Sequence, residues 1–92
     1  MVKDKWYAFS MDDGLVGISS RKSDLVRHYA GFDGSCKRID KGQYEVSNIC
    51  GYDERTFYIY KGLELALKNG WEESIKEFEN YNDSEKECVI IL

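Results

Sequence analysis

The chain has 92 residues, a net charge of −4 from 13 Lys and Arg against 17 Asp and Glu, 42% hydrophobic and 14% aromatic residues, and no proline. That length is one domain, residues 1–92, and surface scaling implies that about 65% of the unfolded chain's surface is buried on folding, enough for one modest core. These numbers exclude a collagen-like or disordered chain and a multidomain enzyme, and the longest apolar run, Val89-Ile90-Ile91-Leu92, is far too short to span a bilayer.

Residues 6–20 predict a β-hairpin turning at Asp13-Gly14, a dipeptide that tolerates the positive φ of a type I′ turn. Pairing outward sets Asp12 opposite Leu15, Met11 opposite Val16 and Phe9 opposite Ile18. Tyr7, Phe9, Met11, Val16 and Ile18 then share one apolar face. Residues 20–30 predict a helix with Ser20 as N-cap, Asp24 in the first turn and Leu25, Val26 and Tyr29 on its inner face. Gly31 lies just past its end, with Phe32 in contact with it. Phe32-Asp33-Gly34 continues as a turn. Residues 35–50 predict a second hairpin turning at Lys41-Gly42, with Ile39 facing Tyr44 as a core pair and Arg38 facing Glu45 as a solvated ion pair. A turn over Gly51-Tyr52-Asp53-Glu54 leads into a strand from Arg55 to Lys61, rich in β-formers.

Leu63, Leu67, Trp71, Ile75 and Phe78 then recur at helical spacing. Asn69-Gly70 interrupts the stripe with the chemistry of a helix end, so two helices are predicted, 63–69 and 71–80. Tyr81-Asn82-Asp83-Ser84 ends the second, and Cys88 to Leu92 predicts a final strand. The order ββα-βββ-αα-β defines an α+β domain with a mostly antiparallel sheet of about six strands.

The chain shows no catalytic signature. Cys36, Cys50 and Cys88 are odd in number and match no disulfide framework or zinc pattern, so they read as small buried hydrophobes. Cys36 lies beside Lys37 and Arg38, and His28 is the only imidazole, but no nucleophile motif joins them. Gly14-Leu15-Val16-Gly17 and Gly31-Phe32-Asp33-Gly34 lack the form of a phosphate-binding fingerprint. The expectation is a non-enzymatic protein with no cofactor and no metal. The N-terminus, Met1-Val2-Lys3-Asp4-Lys5-Trp6, has no apolar run of signal-peptide length, which points to the cytoplasm.

Charge is distributed unevenly. Residues 1–46 carry 8 Lys and Arg against 7 Asp and Glu, a sum of +1, and residues 47–92 carry 5 against 10, a sum of −5. All of the excess acid lies in 72–87: Glu72, Glu73, Glu77, Glu79, Asp83, Glu85 and Glu87, opposed only by Lys76 and Lys86. With Ile75 and Phe78 turned inward, the carboxylates of the helix 71–80 point outward. Such a face attracts a basic protein groove at long range and competes there with nucleic acid. An ordinary solvated face, with Glu72 and Glu73 favouring the helix through its dipole, is the plainer reading of the same residues. Seven Tyr and two Trp are also more than one small core absorbs. Tyr52, Tyr58, Tyr60 and Tyr81 cannot all be buried if Phe57 and Ile59 face inward, and surplus aromatics serve as interface anchors.

The segment Ala66-Leu67-Lys68-Asn69-Gly70-Trp71-Glu72-Glu73, followed by Phe78 and by Tyr81-Asn82-Asp83, resembles the C-terminal part of small type II anti-CRISPR proteins. Those are phage-encoded, acidic α+β inhibitors that block a CRISPR effector nuclease by mimicking DNA. The likeness spans about 18 residues and implies a host protein as partner, an acidic contact surface and the host cytoplasm as location. The leading expectation is an inhibitor that binds a basic, nucleic-acid-binding host protein or complex through Glu72, Glu73, Glu77, Glu79, Asp83, Glu85 and Glu87, with Trp71 or Tyr81 as anchors. Two alternatives are a nucleic-acid-binding module using Arg21, Lys22, Arg27, Lys37 and Arg38, and a structural subunit whose Val89–Leu92 strand completes a partner's sheet.

Overall fold

The computed structural model describes residues 5–31, 34–50 and 53–91. Its strands are β1 (Trp6–Ser10), β2 (Gly14–Ser19), β3 (Ser35–Asp40), β4 (Gln43–Cys50) and β5 (Asp53–Lys61). Its helices are α1 (Lys22–Ala30), α2 (Leu63–Lys68), α3 (Glu72–Glu79) and α4 (Asp83–Cys88). The strands form one antiparallel sheet in the order β2-β1-β5-β4-β3. The domain is α+β, with five strands rather than six.

β5 explains the layering. Phe57-Tyr58-Ile59-Tyr60 is apolar or aromatic at every position, the pattern of a strand covered on both faces. Phe57 and Ile59 pack toward α1 with Ala8, Val46, Leu25, Tyr29 and Ala30. Tyr60 packs on the other face with Phe9, Leu15, Ile18, Ala66, Ile75 and Val89. A helix therefore covers one side of the sheet, and the C-terminal helices cover the other. Tyr60, expected as a surplus aromatic, belongs to the second core.

Both hairpins form, and each carries a one-residue irregularity. In the first, Tyr7 pairs with Ile18, Ala8 with Gly17 and Phe9 with Leu15, so Val16 is the extra residue and the expected Phe9–Ile18 pairing is displaced. Tyr7, Phe9 and Ile18 do share a face, but Leu15 joins them there, whereas Val16 packs toward α1 and Met11 is 76% exposed in the loop. Gly14, with φ of 74°, closes that loop, which is longer than a two-residue turn. In the second hairpin the Lys41-Gly42 turn is where it is expected. The register differs by one, with Arg38 opposite Tyr44 and Lys37 opposite Glu45, because Ile39 is bulged out and half exposed.

α1 begins at Lys22, not at Ser20. Ser19, not Ser20, accepts the Arg21 N–H, at 3.2 Å. Leu25 and Tyr29 are buried as expected and Val26 is partly so. The Phe32 contact and most of the turns at 32–34 and 51–54 lie outside the described residues. α2 and α3 stop and start on either side of Gly70, whose φ of 89° ends the first of them. Trp71, Ile75 and Phe78 face the sheet, but α2 turns Leu65 and Ala66 inward and leaves Leu63 and Leu67 exposed, because the stripe breaks at Asn69-Gly70.

The predicted sixth strand is replaced by α4 and a single bridge. Asn82 Oδ1 accepts the Glu85 N–H at 2.9 Å, and Glu85 Oε1 accepts the Asn82 N–H at 3.2 Å. That capping box starts a helix over Asp83–Cys88. Ile90 then makes an isolated parallel bridge to Ile18. The Ile18 N–H donates to the Val89 carbonyl at 2.7 Å and the Ile91 N–H donates to the Ile18 carbonyl at 2.8 Å. The outer edge of β2 is thus engaged by the chain's own tail, while β3, at the opposite edge, is exposed at all six residues.

Candidate functional site

Burial of Ile75 and partial burial of Phe78 orient α3, leaving Glu72, Glu73, Glu77 and Glu79 exposed. α4 buries none of its own residues and presents Asp83, Glu85 and Glu87 to solvent. All seven predicted carboxylates therefore lie on two consecutive helices and face water. One is paired: Lys76 Nζ reaches Glu72 at 3.2 Å, an exposed i,i+4 contact that contributes little. Glu85 also has a local task in the capping box.

The two aromatic candidates are drawn into the fold. The Trp71 ring stacks on Phe9, with centroids 4.9 Å apart and planes at 29°, and its Nε1–H donates to Tyr60 Oη at 2.8 Å. Burial raises the Tyr60 phenol above its ordinary range, the Trp71 hydrogen bond opposes that rise, and neighbouring Tyr58 adds to it. Tyr81 is partly buried and meets Phe78 edge-on at 5.6 Å.

The feature that sequence reasoning missed is an apolar recess beside the carboxylates. It encloses about 340 Å³ and is lined by Tyr7, Ile18, Leu63, Ile75, Phe78 and Ile90, with Lys5, Glu79 and Lys86 as its charged lining. Glu79 thus belongs both to the acidic face and to the recess. Ile90 and Leu63 are 50% and 38% exposed, so apolar surface remains open there. The shared face of Tyr7 and Ile18 and the stripe of Leu63, Ile75 and Phe78 were each legible in the sequence, but not that the two sets meet, with Ile90 between them, through contacts distant in sequence.

The basic residues of the 21–41 segment do not form one patch. Lys22 sits over the Tyr44 ring at 4.0 Å, with Arg38 opposite Tyr44 in the sheet. Lys37, next along β3, projects from the other face opposite Glu45. Arg27 is exposed in the last turn of α1. Tyr29 is buried at 8% exposure, and burial pushes its phenol up to about 12. Cys36 and Cys88 are free and exposed rather than the buried hydrophobes expected, and the Cys50 side chain lies outside the described ones. Among the described residues no three His, Cys, Asp or Glu side chains group closely enough to hold a metal ion, and no helix is long and apolar enough to cross a membrane.

No protein-family model, curated protein or solved structure matches this chain.

Proposed function

We propose that the protein is a non-enzymatic binding module whose α3–α4 face docks on a basic, nucleic-acid-binding surface of a partner protein and excludes nucleic acid from it. The observation that supports this reading is that the two helices carrying the seven exposed carboxylates also wall an open apolar recess, through Ile75, Phe78 and Glu79 of α3 and Lys86 of α4. Charge alone gives fast but weak encounter. A neighbouring apolar slot gives the desolvated centre in which binding energy concentrates. A fitting partner presents an apolar or aromatic side chain flanked by Lys and Arg. On the resemblance of the 66–83 segment, a CRISPR effector is one such partner, and the inhibitor acts in the cytoplasm of a phage host.

The test is affinity capture from the source cell, followed by competition. The wild-type chain is expected to displace nucleic acid from the captured protein. Glu73→Lys/Glu77→Lys/Asp83→Lys is expected to weaken the complex at least about 100-fold, as loss of several desolvated charge contacts does, with the fold retained by circular dichroism and only a small loss of thermal stability from the reversed first-turn charges. Unaltered affinity of this variant, or capture that leaves the partner's nucleic-acid binding intact, refutes the reading.

A further inference from the structure

Lys61 lies directly opposite Trp6 across β5 and β1, so both side chains leave the sheet on the same face. Ile59, two residues before Lys61, pairs with Tyr44, and Tyr44 pairs with Arg38. Alternation along the strands therefore sends Trp6, Lys61, Tyr44 and Arg38 all to the α1 side. On that face Ala8, Val46 and Ile59 are fully buried, whereas Trp6 and Tyr44 are only partly covered and Arg38 and Lys61 are exposed. α1 begins at Lys22, whose Nζ lies over Tyr44, and the Tyr44 ring lies 6.0 Å from that of Trp6.

Where this face ends at the Lys41-Gly42 turn there is a shallow recess of about 750 Å³, lined by Trp6, Tyr44, Arg38, Lys41 and Lys61 and closed from the other side of the sheet by Gln43 and Leu65. Asp40 is the one acid lining it among the described residues, and its Oδ1 already accepts the Lys41 N–H at 2.7 Å. Among the described residues no ion pair neutralises Arg38, Lys41 or Lys61.

We infer that this recess binds single-stranded nucleic acid, with bases stacking on Trp6 and Tyr44 and phosphates meeting Arg38, Lys41 and Lys61. Paired aromatic rings inside a groove of unneutralised cations are the composition that single strands require, since every base offers a stacking face. A duplex keeps its bases stacked on one another, so the rings would go unused. An acidic peptide would engage the cations but not the rings. The net charge of −4 does not forbid this, because at physiological salt charges are screened over about 8 Å and the local cations dominate. The site is separate from the acidic face. One molecule carrying both can dock on a protein through one surface and take up the strand displaced from that protein on the other.

The test is fluorescence anisotropy of a labelled oligothymidylate titrated with the full chain, beginning at about 20 mM salt where counterion release is strongest. Saturable binding is expected, with log affinity falling against log salt at a slope of about −2 for three phosphate contacts. Arg38→Gln/Lys61→Glu, both exposed positions, is expected to weaken binding at least about tenfold with an unchanged circular dichroism spectrum. Tyr44→Leu, which keeps apolar bulk and removes the ring, is expected to weaken it about fivefold or more. The inference is overturned by no binding up to about 0.1 mM protein at low salt. It is overturned equally by unchanged affinity in Arg38→Gln/Lys61→Glu, or by polyglutamate or a duplex of the same length binding as tightly. Glu73→Lys/Glu77→Lys is expected to leave oligonucleotide binding at least as strong, so failure here and failure of the acidic-face reading are separable.

Discussion

Gly17 and Ala8 are paired neighbours on β2 and β1, and their small size is what lets α1 settle on the sheet. The ring of Tyr29 lies over Gly17 and packs against Phe57, 4.5 Å between centroids. A Cβ on Gly17 would collide with Tyr29 Oη. Gly17→Ala is therefore expected to destabilise the fold by about 1–3 kcal/mol, the usual cost of overpacking. Tyr29→Phe removes the oxygen in the way, so the double variant should lose less than the sum of the two single variants, as a urea-denaturation cycle would measure. The same burial makes Tyr29 a pH reporter. Its phenol titrates at about 12 when folded and near 10 when unfolded, so only the unfolded chain gives up this proton in between. The folded state thus keeps its full advantage below pH 10 and loses about 2–3 kcal/mol as pH rises from 10 to 12. Tyrosinate absorbance followed together with unfolding should show a late-ionising step to which Tyr29 and Tyr60 both contribute, and Tyr29→Phe should shrink that step and flatten the alkaline decline in stability.

At the scale of elements, α4 depends on its cap more than α1 or α3 depends on one. It is six residues long with none buried, and its sequence is Asp-Ser-Glu-Lys-Glu-Cys, so neither length nor an apolar face sustains it. The Asn82–Glu85 box at its start and the Val89–Ile91 tail on β2 at its end hold it in place. Asn82→Ala is expected to cost about 1 kcal/mol and to speed amide exchange in residues 84–88, while exchange in α1 stays unchanged. The Asn82-x-x-Glu85 signature was present in the sequence, but Tyr81-Asn82-Asp83-Ser84 also reads as the end of the preceding helix, whose C-cap is Asn80, while Asn82 starts α4. The other departures have a similar origin. Val16 and Ile39 are single residues added to otherwise alternating strands, and no period records a bulge. Alternation was also a weak guide here because the sheet is covered on both sides, so a slip in β1 or β2 moves an apolar residue from one core to another rather than into water. The elements that carry their own local signals, α1 with Gly31 after it, α2 and α3 on either side of Gly70, and the Lys41-Gly42 turn, were legible for that reason.

For the whole molecule, the acidic side chains were legible because consecutive helical positions carry them. The two recesses were not, because each draws its walls from strands and helices far apart in sequence and depends on register. Register also determines how the molecule meets copies of itself. β2 is bridged at Ile18 by Val89–Ile91, whereas among the described residues β3 has no such contact along its outer edge and is the more open edge for a further strand. Open edges invite pairing, and charged side chains are a common protection against it. Every antiparallel register that uses all or all but one of the β3 residues sets Lys37 or Arg38 of one copy against Lys37 or Arg38 of the other. Like charges placed directly opposite repel, and the bulge at Ile39 further roughens the edge. The wild-type chain is therefore expected to sediment as a monomer. Lys37→Glu changes the sign of this argument. In the register that uses the whole strand, the introduced carboxylate of each copy would face Arg38 of the other, giving two complementary pairs in place of two repulsive ones, each worth about 0.2–1 kcal/mol. Sedimentation equilibrium should then show a dimer for Lys37→Glu that grows with concentration and dissociates as salt is raised, with the β3 amides protected from exchange. Lys37→Gln, which removes the repulsion without creating attraction, should remain mostly monomeric under the same conditions.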